Sequence, residues 1–127
     1  MPYSNTNALY PIDWRVITEA DKWLDGSVSA DYANHPLAQD WARVSKISEE
    51  LGETIAELIL ATGQNPRKDQ GIHMRLAAHE RMLDELGDTV LTGILAIQHF
   101  TKEPHATMDV IDRAVRKLAS RLPGTHV

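Results

Sequence analysis

Apolar residues recur at intervals of three and four along four stretches of the chain, which is the spacing of amphipathic α-helices. Asp13 is a candidate N-cap for the first stretch, and Pro36 and Pro104 suit the first turns of later ones. Gly63 follows the second stretch as a candidate C-cap. No strand pattern competes, so the sequence predicts helices over 13–24, 36–62, 72–101 and 104–122.

These elements predict an all-α fold, a bundle of about four helices forming a single domain over 1–127, with residues 1–11 as an N-terminal arm. The second helix should turn one apolar stripe to the core: Leu37, Trp41, Val44, Ile47 or Ser48, Leu51, Ile55 and Leu58. The third helix should turn a second stripe inward: Leu76, Leu83, Leu86, Val90, Ile94 and Ile97.

Composition is that of an ordinary soluble globular protein, with 127 residues, of which 43% are hydrophobic and 24% charged. The net charge of -5 argues against nonspecific nucleic-acid binding, because affinity for the phosphate backbone comes mainly from clustered Lys and Arg. The chain has no cysteine, and its longest apolar runs fall far short of the roughly 18 residues of a membrane span. Its first residues lack the basic and apolar regions typical of a signal peptide, so none is expected. We therefore expect a cytoplasmic protein with no membrane partner.

One heptapeptide occurs twice at an offset of 35, as Glu49-Glu50-Leu51-Gly52-Glu53-Thr54-Ile55 and Asp84-Glu85-Leu86-Gly87-Asp88-Thr89-Val90. Every matched pair is identical or conservative, which indicates two related helices. If these helices pack antiparallel, the two motifs face each other across an approximate twofold axis.

Carboxylates three residues apart share a helix face, so Glu50 with Glu53 and Glu85 with Asp88 would form a box of four. Like charges so close repel unless a cation lies between them, and Mg²⁺ or Mn²⁺ prefers such oxygen ligands. A glycine inside each motif costs up to about 1 kcal/mol relative to alanine, which close helix approach or room for a ligand would offset. A solvated acidic face remains the alternative, and for a single Glu-x-x-Glu it is the more common one.

These motifs resemble those of the all-α nucleotide pyrophosphohydrolases, a group that includes MazG, the dimeric dUTPases and phosphoribosyl-ATP pyrophosphohydrolase. The family pattern of EExxE followed by ExxD is present as Glu49-Glu50-x-x-Glu53 and Glu85-x-x-Asp88. The resemblance extends over roughly 37–100, and the MazG-like branch is the most similar. The 31 residues between Glu53 and Glu85 are at the long end of the family spacing.

The resemblance implies hydrolysis of a nucleoside triphosphate to the monophosphate and pyrophosphate, with Glu50, Glu53, Glu85 and Asp88 as Mg²⁺ ligands and Mn²⁺ as a substitute. It implies that Glu49 orients or deprotonates the attacking water. It also implies nucleotide-pool house-cleaning, and a homodimer or homotetramer that completes the catalytic core.

Further residues are candidates for substrate binding: Lys46, Arg81, Trp41, Arg116 and Lys117. Lys46 and Arg81 each precede the first ligand of a motif by four residues, where phosphate binding and an ordinary helix ion pair are both expected. Trp41 suits base stacking or, more often, core packing. Arg116 and Lys117 suit phosphate contact or a solvated basic face.

Two other functions were considered from the sequence. A di-iron carboxylate bundle would need Glu-x-x-His on two helices, and no histidine stands three residues after a glutamate. A non-catalytic helical module that dimerises or binds a protein would use the same carboxylate and basic faces. Such a module predicts no Mg²⁺-dependent activity that Glu50→Gln abolishes.

Overall fold

The computed structural model describes residues 12–27 and 35–124, which contain four α-helices and no strand. The helices are α1 (Trp14–Gly26), α2 (Pro36–Thr62), α3 (Ile72–Thr101) and α4 (Pro104–Ala119). The predicted all-α class is confirmed over these residues. The predicted arm over 1–11 lies outside them, and the assignment of 1–127 to a single domain stays a prediction.

The helix ends follow local chemistry that the sequence displays. The Asp13 carboxylate accepts a hydrogen bond from the Arg15 amide at 3.0 Å and caps α1. Gly63 ends α2 with a φ of 66°, a left-handed conformation that glycine adopts without strain. Glu103 caps α4 by accepting from the His105 and Ala106 amides at 3.0 and 2.8 Å.

Two predicted boundaries are wrong by a few residues. α1 continues through Gly26, two residues beyond Leu24, and ends where the Ser27 amide bonds to the carbonyl of Leu24. α4 ends at Ala119, three residues before the predicted end, because the amide of Leu122 bonds to the carbonyl of Ala119 in a tighter turn. Apolar periodicity continues past this turn, so it could not mark the end.

α2 and α3 form a long antiparallel hairpin that carries both acidic motifs. Residues in contact run in opposite directions along the two helices, as the pairs Asp40–His99, Thr54–Thr89 and Glu57–Arg81 show. The connecting loop is held by Arg75, whose guanidinium binds the Asp69 carboxylate through Nε at 3.0 Å.

Most members of the apolar stripes predicted to face the core are exposed, so the predicted burial is wrong for them, whereas Ile47, Ile94 and Ile97 are partly buried. Trp41 is 75% exposed and Val90 is 64% exposed. The two helices meet instead along an adjacent line of small and polar residues that includes Ala78, Thr54 and Thr89. A two-helix hairpin can bury only one narrow face of each helix, so the neighbouring stripes stay uncovered. The exposed members are Leu37, Trp41, Val44, Leu51, Ile55, Leu58, Leu76, Leu83, Leu86 and Val90.

The outer helices pack on one end of this hairpin. α1 buries Ile17 and is joined by ion pairs to α2 and to the residue that follows α3, since Asp21 binds Arg43 at 3.0 Å and Lys102 at 3.1 Å. α4 is attached through Thr107, whose hydroxyl donates to the side chain of Gln98 at 2.7 Å in a fully buried contact. None of the described helices is long and apolar enough to cross a membrane.

Candidate metal centre

The two acidic motifs face each other across the α2–α3 interface. The hydroxyl oxygens of Thr54 and Thr89, which occupy the same place in each motif, lie 3.3 Å apart. Each hydroxyl donates to the carbonyl four residues earlier, of Glu50 and Glu85, at 3.0 and 2.8 Å. The predicted face-to-face arrangement of the repeat is therefore confirmed.

Three of the four predicted ligands come together at this crossing. Glu50, Glu53 and Glu85 each offer a carboxylate oxygen, and these oxygens all lie within 4.8 Å of one another. Asp88 is not part of this tight group, although its charge acts on Glu85. The side chain of Glu50 is largely enclosed, with 12% of its surface exposed.

The surroundings of Glu85 disfavour its charged form. Partial burial, a hydrogen bond with Glu53 and the negative charges of Glu53, Asp88 and Glu50 raise the pKa of Glu85 above its ordinary value. Among the described residues, no lysine or arginine nitrogen lies within 4 Å of a carboxylate oxygen of Glu53, Glu85 or Asp88. The cluster thus holds like charges with little local compensation.

The positive charge of Lys46 offsets negative charge at one edge of the cluster. Its ammonium lies 2.9 Å from the carboxylate of Glu49 and 3.2 Å from that of Glu50. Hydrogen bonds to Glu49 and Glu50 raise the pKa of Lys46, which keeps it charged. Glu49, the predicted catalytic residue, therefore lies beside the metal-ligand candidates but is itself exposed.

Arg81 occupies the position in α3 that Lys46 has in α2, but its partner differs. The Nε of Arg81 lies 3.0 Å from the carboxylate of Glu57 on α2. Arg81 thus forms a bridge between helices instead of the pair with Glu85 that its spacing suggests.

Contacts among the described residues do not explain the motif glycines. Within this part of the chain, a Cβ added at Gly52 or Gly87 would meet no atom within 4 Å beyond its two chain neighbours and its own helix backbone. Close approach of α2 and α3, the first explanation that the sequence suggested, is therefore wrong for these positions. Space beside both glycines stays open for a ligand or a second chain.

The other predicted substrate-binding residues lie elsewhere on the described surface. Trp41 borders a shallow cavity with Asp40, Val44 and Phe100. Arg116 pairs with Asp112 on its own helix at 2.8 Å, and neither Arg116 nor Lys117 forms an ion pair with the carboxylate cluster among the described residues. Their role in binding stays a prediction.

Two features were missed in the sequence because they join distant residues. A cavity of about 360 Å³ lies between α1, α2 and α3, next to Lys46. A second group with metal-ligand geometry, Asp21, Asp25 and His99, is already occupied by the cations of Arg43 and Lys102. Hydrogen bonds from Lys102 and Arg43 outweigh burial and lower the pKa of Asp25. This second group is consequently a neutralised ion-pair network.

No protein-family model, curated protein or solved structure matches the chain.

Proposed function

We propose that the protein hydrolyses nucleoside triphosphates to the monophosphate and pyrophosphate, with a divalent cation held by Glu50, Glu53, Glu85 and Asp88. The observation that carries this proposal is the convergence of three carboxylates from two helices within 4.8 Å. The resemblance of both motifs to those of the all-α nucleotide pyrophosphohydrolases supports the same activity.

The chemistry of the donor set suits Mg²⁺ or Mn²⁺. The available donors are carboxylate oxygens, the ligands of hard cations, and no histidine or thiol stands among them. The raised pKa of Glu85 indicates a site that gains stability when positive charge is supplied. An acidic surface can in this way bind an anionic triphosphate through a shared cation.

A bound cation would offset charge on the phosphoryl oxygens and favour ionisation of a water molecule. Glu49, exposed at the edge of the cluster, orients that water and accepts its proton. The ammonium of Lys46 retains hydrogen-bonding capacity beyond Glu49 and Glu50 and meets the phosphate charge. Arg81 and, from α4, Arg116 and Lys117 are further phosphate-binding candidates.

We further assign the exposed apolar stripes to contact with a second copy of the chain. The stripes of α2 and α3 occupy matching heptad positions, since Leu51 and Ile55 correspond to Leu86 and Val90 at the offset of 35. Two hairpins that pair these faces form a four-helix core, the common architecture for such patterns. Both a homodimer and a homotetramer allow the apolar faces of two hairpins to pair in this way.

The same stripes favour the alternative, a helical module that binds a protein partner without catalysis. An apolar face of this length is typical of interaction surfaces. This function needs neither a cation nor the carboxylate cluster, which makes the two proposals separable.

The deciding experiment measures pyrophosphate release from a panel of canonical and modified nucleoside triphosphates, with Mg²⁺, with Mn²⁺ and with EDTA. Glu50→Gln removes one carboxylate charge from the cluster and should lower kcat at least about 100-fold. The matched control is Glu80→Gln, the same change at an exposed position of α3, which should leave kcat unchanged. Release that is insensitive to EDTA, or equal in the two variants, would refute the proposal.

A further inference from the structure

The exposed stripe of α3 contains one ionisable side chain, that of His79. Successive members of the stripe are four or three residues apart, which is the spacing of one helix face. The apolar members are 40% to 64% exposed, and His79 is exposed with them. With Ile72, which continues it towards the start of the helix, the exposed stripe is Ile72, Leu76, His79, Leu83, Leu86 and Val90.

The exposed stripe of α2 has the same register at the offset of 35 residues. It consists of Leu37, Trp41, Val44, Ser48, Leu51, Ile55 and Leu58. Val44 is the counterpart of His79, and Ser48 is the counterpart of Leu83. Neither stripe contains Asp, Glu, Lys or Arg, so the two helices together present one uncharged face.

This face is large enough to hold a second copy of the chain. Residues 37–58 extend about 30 Å along α2, and two helices side by side are about 20 Å wide. The product is of the order of the roughly 800 Å² that each partner contributes to a stable interface. Helical spacing places Leu51 and Ile55 on one side of Thr54, and Glu50 and Glu53 on the other. A second copy on the stripes therefore leaves the carboxylate cluster open.

His79 has no counter-ion for a positive charge on this face. Among the described residues it forms no ion pair and no side-chain hydrogen bond. The charged residues within one turn of it are Arg75, Glu80 and Arg81 on α3, and the two arginines pair with Asp69 in the loop and Glu57 on α2. Glu80 follows His79 directly, so its side chain points about 100° away around the helix. α1 and α4 pack at the other end of the hairpin, near Lys102 and Gln98.

Cover by a second copy is compatible with a neutral imidazole at His79 and opposes an imidazolium. A charge taken out of water without an opposite charge is strongly disfavoured, and neither stripe offers one. Histidine side chains change charge between about pH 5 and pH 8. We infer that His79 makes the homodimer sensitive to pH, so that acidification separates the two copies; this inference rests on the homodimer of the proposed function.

The test measures the dimer Kd by sedimentation velocity at about pH 7.5 and about pH 5.5, in EDTA so that no metal takes part. Circular dichroism at both pH values confirms that the helices are kept. A twofold dimer covers His79 of both copies, so we expect the Kd to be at least about 30-fold higher at the lower pH. An equal Kd at both pH values, or a protein that is monomeric at both, would overturn the inference.

Variants assign the effect to His79. His79→Leu completes the apolar stripe and should give a dimer whose Kd no longer depends on pH. His79→Gln is polar but uncharged at both pH values, and should also remove the dependence if His79→Leu does not fold. The matched control is His73→Leu, the same change at an exposed position of α3 outside the stripe, which should keep the wild-type dependence.

Other groups that titrate in this range are common to all the variants. The pKa of Glu85 is raised, but Glu85 belongs to the carboxylate cluster on the other side of the hairpin. A pH dependence that persists unchanged in His79→Gln would therefore contradict the assignment to His79.

Failure of this inference is distinguishable from failure of the hydrolase. Metal-dependent release of pyrophosphate by a protein whose dimer Kd is independent of pH would keep the hydrolase and refute the role of His79. A dimer that separates on acidification through His79, in a protein that releases no pyrophosphate, would refute the hydrolase and keep the inference.

Discussion

Val90→Asp tests whether the exposed stripes of the hairpin are covered by a second copy. Val90 is 64% exposed, and full burial of a valine or isoleucine side chain contributes about 1.5 to 3 kcal/mol. Covering the exposed part is therefore worth about 1 to 2 kcal/mol, and a symmetric dimer contains it twice. Loss of about 2 to 4 kcal/mol weakens the dimer at least about 30-fold, before the added penalty of a buried carboxylate.

The assay is sedimentation velocity over a range of protein concentrations, with circular dichroism to confirm that the variant keeps its helices. Val115→Asp is the matched control, because Val115 is 58% exposed on α4, outside the α2 and α3 stripes. Wild type and Val115→Asp should dimerise with similar Kd, and Val90→Asp should be a monomer at the same concentrations. A monomeric wild-type protein, or equal Kd for all three, would show that the stripes do not form a homodimer.

Three further predictions concern the cluster. Glu53→Gln removes charge repulsion from the metal-free protein and should raise its Tm by about 1 to 2 °C. The same change removes a proposed ligand, so Mn²⁺ should raise the Tm of the variant less than that of wild type. Calorimetry with and without Mn²⁺ measures both effects. The pKa of Glu85 is higher in the folded state than its ordinary value of 4.5, so the folded protein favours the protonated carboxyl. The free energy of unfolding should therefore be higher at low pH and should fall as pH rises from 4.5 through the raised pKa. Over the same range Mn²⁺ affinity should rise, as titrations at several pH values would show, and a flat profile would contradict the shift. Gly52→Ala and Gly93→Ala meet no steric clash with the described residues and should each stabilise the fold by about 0.5 to 1 kcal/mol. Only Gly52→Ala should lower kcat/KM, which steady-state kinetics would show.

Helix positions were predictable because each depends on neighbours in the sequence. Pro36, Gly63 and the 3.6-residue period locate both ends of α2, and the predicted bounds of α2 and α3 agree with the structure. The facing motifs were predictable for a related reason. A repeat on two helices joined by a short loop brings equivalent residues such as Thr54 and Thr89 together.

The burial of the apolar stripes could not be predicted from their periodicity. An apolar stripe shows which face of a helix avoids water but not which chain covers it, so Trp41 was predicted to pack within a core. The cavity next to Lys46 could not be predicted from the sequence either, because its lining residues Trp23, Gln39 and Thr92 lie on three different helices.

Product analysis tests the central claim most directly. The purified protein is incubated with each nucleoside triphosphate and Mg²⁺, and all phosphorylated products are separated and quantified. The proposed hydrolase predicts equal amounts of nucleoside monophosphate and pyrophosphate, and none of either once EDTA removes the cation. Nucleoside diphosphate with inorganic phosphate, or no consumption of any triphosphate by the folded protein, would contradict it.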